Sequence, residues 1–211
     1  MNSKRWAVFG ALCGCLLFTG CDLNNGILRR AAKEYFPLPI GAEWTYRYPD
    51  LSTSKIQVRG DSVAYNYPCL VVEQDFQKQY WIKSEGELRK FVDTVINIGG
   101  TDYPLEQRFR RYYVLPFVLG DTWAEEFRDA VPVMGETIAF EHRIRGKVVA
   151  DTVIRVPAGE FAPCYEVDIT ETWINGDTTT DIIQEWYAPG VGLVKRIQGS
   201  VEEELQDYQF P

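Results

Sequence analysis

The sequence predicts an all-β protein: an antiparallel curved sheet or flattened barrel of two related halves, preceded by a short helical tether. Three observations lead to this fold class. Apolar residues alternate with polar ones along several segments, turn signals separate those segments, and short motifs recur in the same order in the two halves of the chain. Because a period of two places alternate side chains on one face of a strand, we expect roughly ten to twelve antiparallel strands.

The chain is long enough and apolar enough to bury a hydrophobic core. Its 211 residues are 45% hydrophobic and 14% aromatic, which is typical of a folded protein of one or two domains. Lys and Arg number 22 against 30 Asp and Glu, so the formal net charge is -8. Nucleic-acid binding depends on basic patches that displace counterions from phosphates, so we expect no nucleic-acid partner.

The first residues of the chain have the zones of an export signal. A positive start at Lys4 and Arg5 is followed by an apolar run from Trp6 to Phe18 and by two small residues. At 1.5 Å per residue this run is too short to cross a bilayer core of ~30 Å. We therefore expect a signal peptide over residues 1–20 and not a transmembrane helix.

The residues around Cys21 resemble the lipobox of bacterial lipoproteins, since Leu-Phe-Thr-Gly at residues 17–20 directly precedes the cysteine. The resemblance implies that Cys21 becomes the acylated N-terminus and anchors the protein to a membrane of the bacterial cell envelope, facing the periplasm or the cell surface. The alternative is an ordinary signal peptide that leaves Cys21 as a free thiol. Residues 21–35 would comprise the lipidated cysteine and a tether, helical over about residues 27–35.

From residue 36 onward the pattern is one of strands and turns. Apolar and polar residues alternate over residues 138–145 and again over residues 165–173. Asn175-Gly176 is the strongest hairpin signal, because a type I′ turn needs φ > 0 at both central positions. Gly99-Gly100 and Glu85-Gly86 are weaker signals of the same kind.

An internal repeat relates the two halves of the chain. The pattern P-x-x-x-G-x-x-W occurs at residues 37–44 and again at residues 116–123. Two further matches follow in the same order: Pro68-Cys69 with Pro163-Cys164, and Trp81, Leu88 and Lys90 with Trp186, Leu193 and Lys195. We therefore expect a single β-domain over residues 36–211, built from similar units at about 36–110 and 115–211.

Two cysteines, Cys69 and Cys164, remain outside the signal peptide and the anchor. In an oxidising compartment two such thiols can form a disulfide. The alternative is that each is a separate, small buried hydrophobic residue. The repeat gives the two cysteines equivalent places in the two units, and this symmetry leaves both alternatives open.

The longer motifs resemble those of uncharacterised bacterial lipoproteins. Tyr-Phe-Pro-Leu-Pro-Ile-Gly-Ala-Glu-Trp-Thr-Tyr at residues 35–46 is similar to the start of such proteins, and residues 156–161, Cys164 and residues 185–195 are similar to their closing half. The group that the chain resembles is the TapB-like group of unknown function. The resemblance implies an envelope β-sheet module and carries over no catalytic residue.

The residue types that carry most enzyme chemistry are sparse. The chain has one histidine, His142, and neither a C-x-x-C nor an H-E-x-x-H motif, so we predict no metal site, no cofactor and no catalytic residue. Glu166 and Asp168 share a strand face about 6.6 Å apart, close to the carboxylate separation of an inverting glycosidase. Thr170 and Thr172 lie on the same face, which favours a solvated outer surface.

Aromatic residues offer a possible binding surface, with Trp44, Tyr46, Trp173 and Trp186 as the candidates. Tyr and Trp combine an apolar body with a polar tip, which suits a barrel lumen or a partner surface. The alternative is that these residues fill the core. The one basic cluster, Arg108, Arg110 and Arg111, would face anionic lipid headgroups or form surface ion pairs.

The sequence therefore predicts a lipid-anchored lipoprotein of the bacterial cell envelope that acts as a non-enzymatic binding or accessory module. Besides the membrane, which it would reach through acylated Cys21, we expect a hydrophobic, lipid-like ligand or an envelope protein as its partner. The alternative function is that of an envelope glycan hydrolase, which requires two carboxyl groups facing each other across a cleft.

Overall fold

A computed structural model describes residues 35–211 of the chain. The predicted signal peptide, the lipidated Cys21 and all but the last residue of the predicted tether lie outside these residues. The regular structure over residues 36–211 is all strand, which confirms the predicted all-β antiparallel fold. No helix in the described part of the chain has the length and apolar character needed to cross a membrane.

Twelve strands follow one another with short connections. The first six are β1 (Glu43–Arg47), β2 (Thr53–Ala64), β3 (Tyr67–Gln74), β4 (Gln77–Ser84), β5 (Glu87–Ile98) and β6 (Thr101–Val114). The last six are β7 (Thr122–Val133), β8 (Glu136–Val156), β9 (Gly159–Asn175), β10 (Asp177–Ala188), β11 (Gly192–Gln198) and β12 (Val201–Gln209).

The strands form one antiparallel sheet in which each half of the chain is a six-stranded meander. The order in the sheet is β6-β5-β4-β3-β2-β1-β12-β11-β10-β9-β8-β7. The two meanders are joined where β1 pairs with β12, with Trp44 opposite Tyr208. The sheet curls until its edge strands, β6 and β7, lie side by side, so the result is a nearly closed barrel.

The residues that the internal repeat matches lie on corresponding strands of the two meanders. The pairs are Trp44 and Trp123 on β1 and β7, Cys69 and Cys164 on β3 and β9, and Trp81 and Trp186 on β4 and β10. A duplicated six-stranded unit would produce this placement. The unit limits at about 36–110 and 115–211 stay a prediction.

Side chains close the barrel between β6 and β7, where the described residues form no ladder of backbone hydrogen bonds. Trp123 Nε1 donates to the carbonyl of Tyr112 at 2.8 Å, and Arg111 Nη2 donates to the carbonyl of Ala124 at 2.9 Å. The backbone N–H of Arg111 donates to the Glu125 carboxylate at 2.9 Å. We call this junction the seam. The equivalent junction between β12 and β1 is hydrogen-bonded through the backbone.

A buried polar network lies on the inner side of the seam. The Arg110 guanidinium is fully buried and donates to Glu106 and, at 3.0 Å, to Glu125. His142 Nδ1 lies 2.8 Å from Glu106, and its ring stacks on Trp173 with centroids 4.9 Å apart. The expectation that the arginine cluster lies on the surface is therefore wrong for Arg110, because strand alternation turns this residue inward.

The two cysteines are free and lie in different parts of the core. Cys69 packs with Ala64 and Phe109 in a small cluster, whereas Cys164 belongs to the larger cluster around Trp44. The structure thus describes the second alternative, two separate buried hydrophobic residues. Burial raises the pKa of the Cys164 thiol to about 12.

The hairpin predicted at Asn175-Gly176 is present between β9 and β10, but the predicted turn type is wrong. A type I′ turn needs φ > 0 at both central residues, and of these two only Gly176 has it, at 94°. Gly99 and Gly100 connect β5 and β6 with φ values of 62° and 84°. Of these two turns, Gly99-Gly100, although it is the weaker sequence signal, is therefore the one with the φ values of a type I′ turn.

Candidate functional site

A cavity of about 390 Å³ lies inside the barrel, between the two meanders. Residues of both halves line it, among them Trp44, Trp81 and Tyr112 from the first and Ile183, Tyr187 and Leu193 from the second. Successive side chains of a regular strand point to opposite faces, so β10 contributes the alternate residues Ile183, Glu185 and Tyr187 to the cavity. The cavity is therefore a product of the closed sheet and not of any one segment.

Packed aromatic rings form one wall of the cavity. Phe36, which precedes β1, lies between Tyr113 of β6 and Tyr187 of β10, with ring centroids 5.0 and 4.9 Å away. Phe117, in the connection from β6 to β7, lies 5.3 Å from Tyr187. The rings meet at tilted angles, which are favoured over face-to-face contact. This packing fixes the two tyrosines whose hydroxyl groups reach into the cavity.

The two tyrosine hydroxyls converge on Glu185, a buried carboxylate on β10. Tyr113 donates to Glu185 Oε2 at 2.7 Å, and Tyr187 donates to the same oxygen at 2.9 Å. Arg196 Nε lies 3.7 Å from Glu185 Oε1. Burial is the main reason that the pKa of both tyrosines lies well above the usual value. The negative charge of Glu185 raises it further. The carboxylate is thus compensated by three groups of the protein.

Lys90 of β5 brings a positive charge into the cavity. Its Nζ lies 5.0, 4.9 and 5.1 Å from the ring centroids of Trp81, Tyr112 and Tyr113 and donates to the Tyr113 hydroxyl at 3.2 Å. Ring faces attract cations, so the three rings position the ammonium group. Burial lowers the pKa of Lys90, although the Glu185 carboxylate opposes this effect.

A second buried carboxylate, Glu171 of β9, also lines the cavity. Burial raises the pKa of Tyr112, and the neighbouring Glu171 carboxylate raises it further. The cavity therefore combines apolar rings with a few polar groups in defined positions. This combination is typical of sites that bind small molecules.

Two of the four aromatic residues predicted as a binding surface line the cavity. Trp44 donates from Nε1 to the carbonyl of Val191 at 2.7 Å, and the Tyr46 hydroxyl donates to the carbonyl of Leu193 at 2.9 Å. These bonds direct the polar tips toward backbone groups and leave the ring surfaces facing the cavity.

The other two aromatic candidates lie elsewhere. Trp173 stacks on His142 beside the seam, outside the cavity lining. Trp186 is buried in the core, with Lys195 Nζ 5.9 Å from its ring centroid. The structure therefore does not bring the four residues together into one surface.

Glu166 and Asp168, the pair considered for glycoside hydrolysis, do not lie in the cavity. They alternate along β9 with Val167 and Ile169, which are buried inside the barrel. Both carboxylates therefore project from the outer face of the sheet, where Asp168 lies opposite Lys147 of β8.

Sequence analysis missed the four charged residues of the cavity, Lys90, Glu171, Glu185 and Arg196. A signal for the first three was present, because each lies two residues from a buried apolar residue on the same strand face. Within residues 35–211 no group of three or more His, Cys, Asp or Glu is placed to hold a metal ion.

Comparisons with known proteins give one structural similarity. No protein-family model and no curated protein matches the chain. A crystal structure of a proposed lipoprotein from Parabacteroides distasonis is similar to it with a TM-score of 0.49 and 16% sequence identity, over 83% of this chain and 98% of that chain. The resemblance to the TapB-like group stays a prediction.

Proposed function

We propose that this chain is a Cys21-anchored lipoprotein of the bacterial cell envelope, and that its barrel is a non-enzymatic binding module for a small amphiphilic ligand. The observation that carries the proposal is the cavity of about 390 Å³ between the two meanders. Its volume falls within the range of roughly 300–1,000 Å³ that is common for small-molecule sites.

The chemistry of the cavity supports an amphiphilic ligand. The rings of Trp81, Tyr112 and Tyr187 provide apolar surface, while Lys90 and Glu185 are charged. An apolar wall with a few oriented polar groups binds molecules that have an apolar body and a polar end.

The N-terminal residues support membrane anchoring. A positive start, a short apolar run and a cysteine after Leu-Phe-Thr-Gly together resemble the export and acylation signal of lipoproteins. Each buried methylene contributes ~0.8 kcal/mol to membrane binding, so two or more acyl chains on Cys21 would anchor the protein stably. An anchored module would act on ligands at or near the membrane surface.

An envelope protein partner is the second candidate. The observation that favours it is the exposed apolar hairpin between β2 and β3, where Val63, Tyr65 and Tyr67 are 72%, 48% and 57% exposed. Tyr65 stacks on Phe91 with ring centroids 3.8 Å apart, which holds this surface in place. Exposed apolar patches of this kind occur at sites of protein association.

The position of the carboxylates gives the hydrolase alternative little support. Glu171 pairs with Asp181 across β9 and β10, four residues from Glu185 along β10. The backbone positions of the two inner carboxylates are therefore separated by about 13 Å along the strand direction, whereas a glycosidase needs the two carboxyl groups themselves about 5–9.5 Å apart across a bound sugar. Glu185 is in addition held by two tyrosine hydroxyls.

Native mass spectrometry of the full, acylated protein from its own membranes tests the binding proposal. We expect a native mass above that of the acylated chain, with the excess lost on denaturation. Leu193→Trp, which fills the cavity, should abolish the excess, while Leu119→Trp, at a residue that is 56% exposed, should retain it. A native mass equal to that of the acylated chain would contradict a resident ligand and favour the protein partner.

A further inference from the structure

Two cationic side chains, Lys90 and Arg196, line the cavity. We propose, on the basis of the binding function above, that the ligand carries an anionic group, a carboxylate or a phosphate, and that this group binds between Lys90 and Arg196. The apolar body of the ligand then lies against the rings of Trp81 and Tyr112.

Lys90 has hydrogen-bonding capacity that the protein does not use. A lysine ammonium has three N–H donors, and one of them is donated to the Tyr113 hydroxyl. The rings around it attract the charge without accepting strong hydrogen bonds. Within residues 35–211, Lys90 forms no ion pair with a carboxylate. Burial lowers its pKa, and a bound anion would supply the compensation that the site lacks.

Lys195, the residue that the internal repeat matches with Lys90, differs from Lys90 in its charged partners. Each lysine lies over the tryptophan of the same repeat motif, Lys90 over Trp81 and Lys195 over Trp186. Lys195 does not line the cavity, and it pairs with the carboxylates of Glu202 and Glu204. The lysine that faces the cavity is therefore the one without a carboxylate partner.

Arg196 of β11 is the second cation that lines the cavity. Its Nη2 donates to Gln198 at 2.9 Å, while its buried Nε lies 3.7 Å from Glu185 Oε1, an ion-pair distance, and has no hydrogen-bond acceptor in the described residues. Arg196 also acts to lower the pKa of Lys90, as two positive charges facing one cavity repel each other. An anion between them relieves the repulsion and accepts hydrogen bonds from both.

The two inner carboxylates are already engaged by tyrosines. Glu185 accepts from Tyr113 and Tyr187 at one oxygen, and Glu171 lies beside Tyr112, whose pKa its charge raises. The acidic groups are thus compensated from within the protein, whereas the basic groups retain free donors. This difference favours an anionic ligand over a cationic one.

A pair of probes with the same two-ring body tests the inference: 2-naphthoate, which is anionic, and 2-naphthamide, which is neutral. Binding is measured by calorimetry on the full chain in lipid nanodiscs, with empty nanodiscs as the blank. A hydrogen-bonded charge pair corresponds to a difference of about 10-fold or more in affinity, so we expect naphthoate to bind at least that much more tightly than naphthamide.

Substitutions assign the effect to Lys90. Lys90→Met should weaken naphthoate binding about 10-fold and leave naphthamide binding unchanged, while Lys90→Arg keeps the preference and Lys195→Met, the matched control, has no effect. Equal affinity of the wild-type protein for both probes would overturn the anionic head group and leave the binding module intact. Binding of neither probe would count against the binding module as well. The wild-type comparison decides even where a variant does not fold.

Discussion

At the residue scale, charged side chains at inward strand positions distinguish the cavity from an ordinary core. Glu171 shares a strand face with the buried Ile169, and Glu185 lies between the buried Ile183 and Tyr187. Carboxylates are rarely buried unless they are paired, so neither residue stood out in the sequence as a candidate for a site. Tyr112 and Tyr113, which lie beside them, come from β6, far away along the chain, and the alternation pattern of a single strand cannot predict such partners. Tyr187, in contrast, lies on the same strand as Glu185.

Alkaline pH should weaken the fold because buried tyrosines resist ionisation. The pKa values of Tyr46, Tyr112, Tyr113 and Tyr187 are all raised, mainly by burial. Above pH ~10 the unfolded chain releases these protons while the folded chain keeps them, so each tyrosine lowers the free energy of unfolding by about 1.4 kcal/mol per pH unit. Lys90, whose pKa is lowered, has the opposite effect, which ends near its unfolded pKa of ~10.4.

Urea unfolding at pH 9 and pH 11 checks this prediction. The urea concentration at the midpoint of unfolding should be much lower at pH 11 than at pH 9. In Tyr113→Phe one such tyrosine is missing, so the free energy of unfolding should fall less steeply with pH, by about 1.4 kcal/mol per pH unit. Stability that stays constant between these pH values would contradict the burial of the four hydroxyl groups.

At the scale of the strands, the seam shows what the sequence could not predict. The alternation and the turn signals predict the strands and their antiparallel order well, because both are local properties. The closure between β6 and β7 depends on Arg110, Arg111 and Trp123 meeting across the barrel. The same arginines would suit a surface cluster equally well, since sequence spacing contains no information about which edge strands become neighbours.

Arg110→Met should destabilise the protein strongly. Its guanidinium is fully buried against Glu106, and removal of one partner leaves an uncompensated charge in the interior. The expected loss is about 3–5 kcal/mol in the free energy of unfolding. Arg108→Met, the exposed control two residues earlier, should change stability by less than about 1 kcal/mol. Equal effects of the two substitutions in urea unfolding would contradict the buried network.

The turn between β3 and β4 offers a stabilising substitution. Phe76 has φ of 72° and is 92% exposed, so its ring packs little and its backbone occupies a region that favours glycine. The left-handed conformation costs a non-glycine residue roughly 1–2 kcal/mol, and glycine loses about 0.5–1 kcal/mol through entropy. Phe76→Gly should therefore raise stability by about 0.5–1 kcal/mol.

Thermal or urea unfolding of Phe76→Gly measures this gain directly. The matched control is Lys78→Gly, at an exposed residue of the neighbouring β4 whose φ is not positive. This control should lower the free energy of unfolding by about 0.5–1 kcal/mol. A loss of stability in both variants would show that Phe76 makes contacts that its exposure does not reveal.

At the scale of the whole molecule, two meanders enclose a space that neither could form alone. The repeat predicts two similar units, and the structure pairs them at β1 and β12 and brings them together at the seam. The cavity lies between them, so its existence depends on the closure and not on the strands themselves. Sequence analysis accordingly predicted the fold class and two of the aromatic lining residues, Trp44 and Tyr46, but not the cavity.

Replacement of Cys21, the proposed anchor, should release the protein from the membrane. Cys21→Ala removes the thiol that acylation would require, so the variant should move from the membrane fraction to the soluble fraction. Cys69→Ala, at a buried core cysteine, is the control and should remain with the membrane. Unchanged fractionation of Cys21→Ala would remove the lipoprotein proposal.

A crystal structure of the full chain purified from its own membranes tests the central claim most directly. We predict electron density for an organic molecule in the cavity, with its polar end at Lys90 and Arg196 and its body against Trp81 and Tyr112. A cavity closed by collapsed side chains, or filled with ordered water alone, would contradict the binding module.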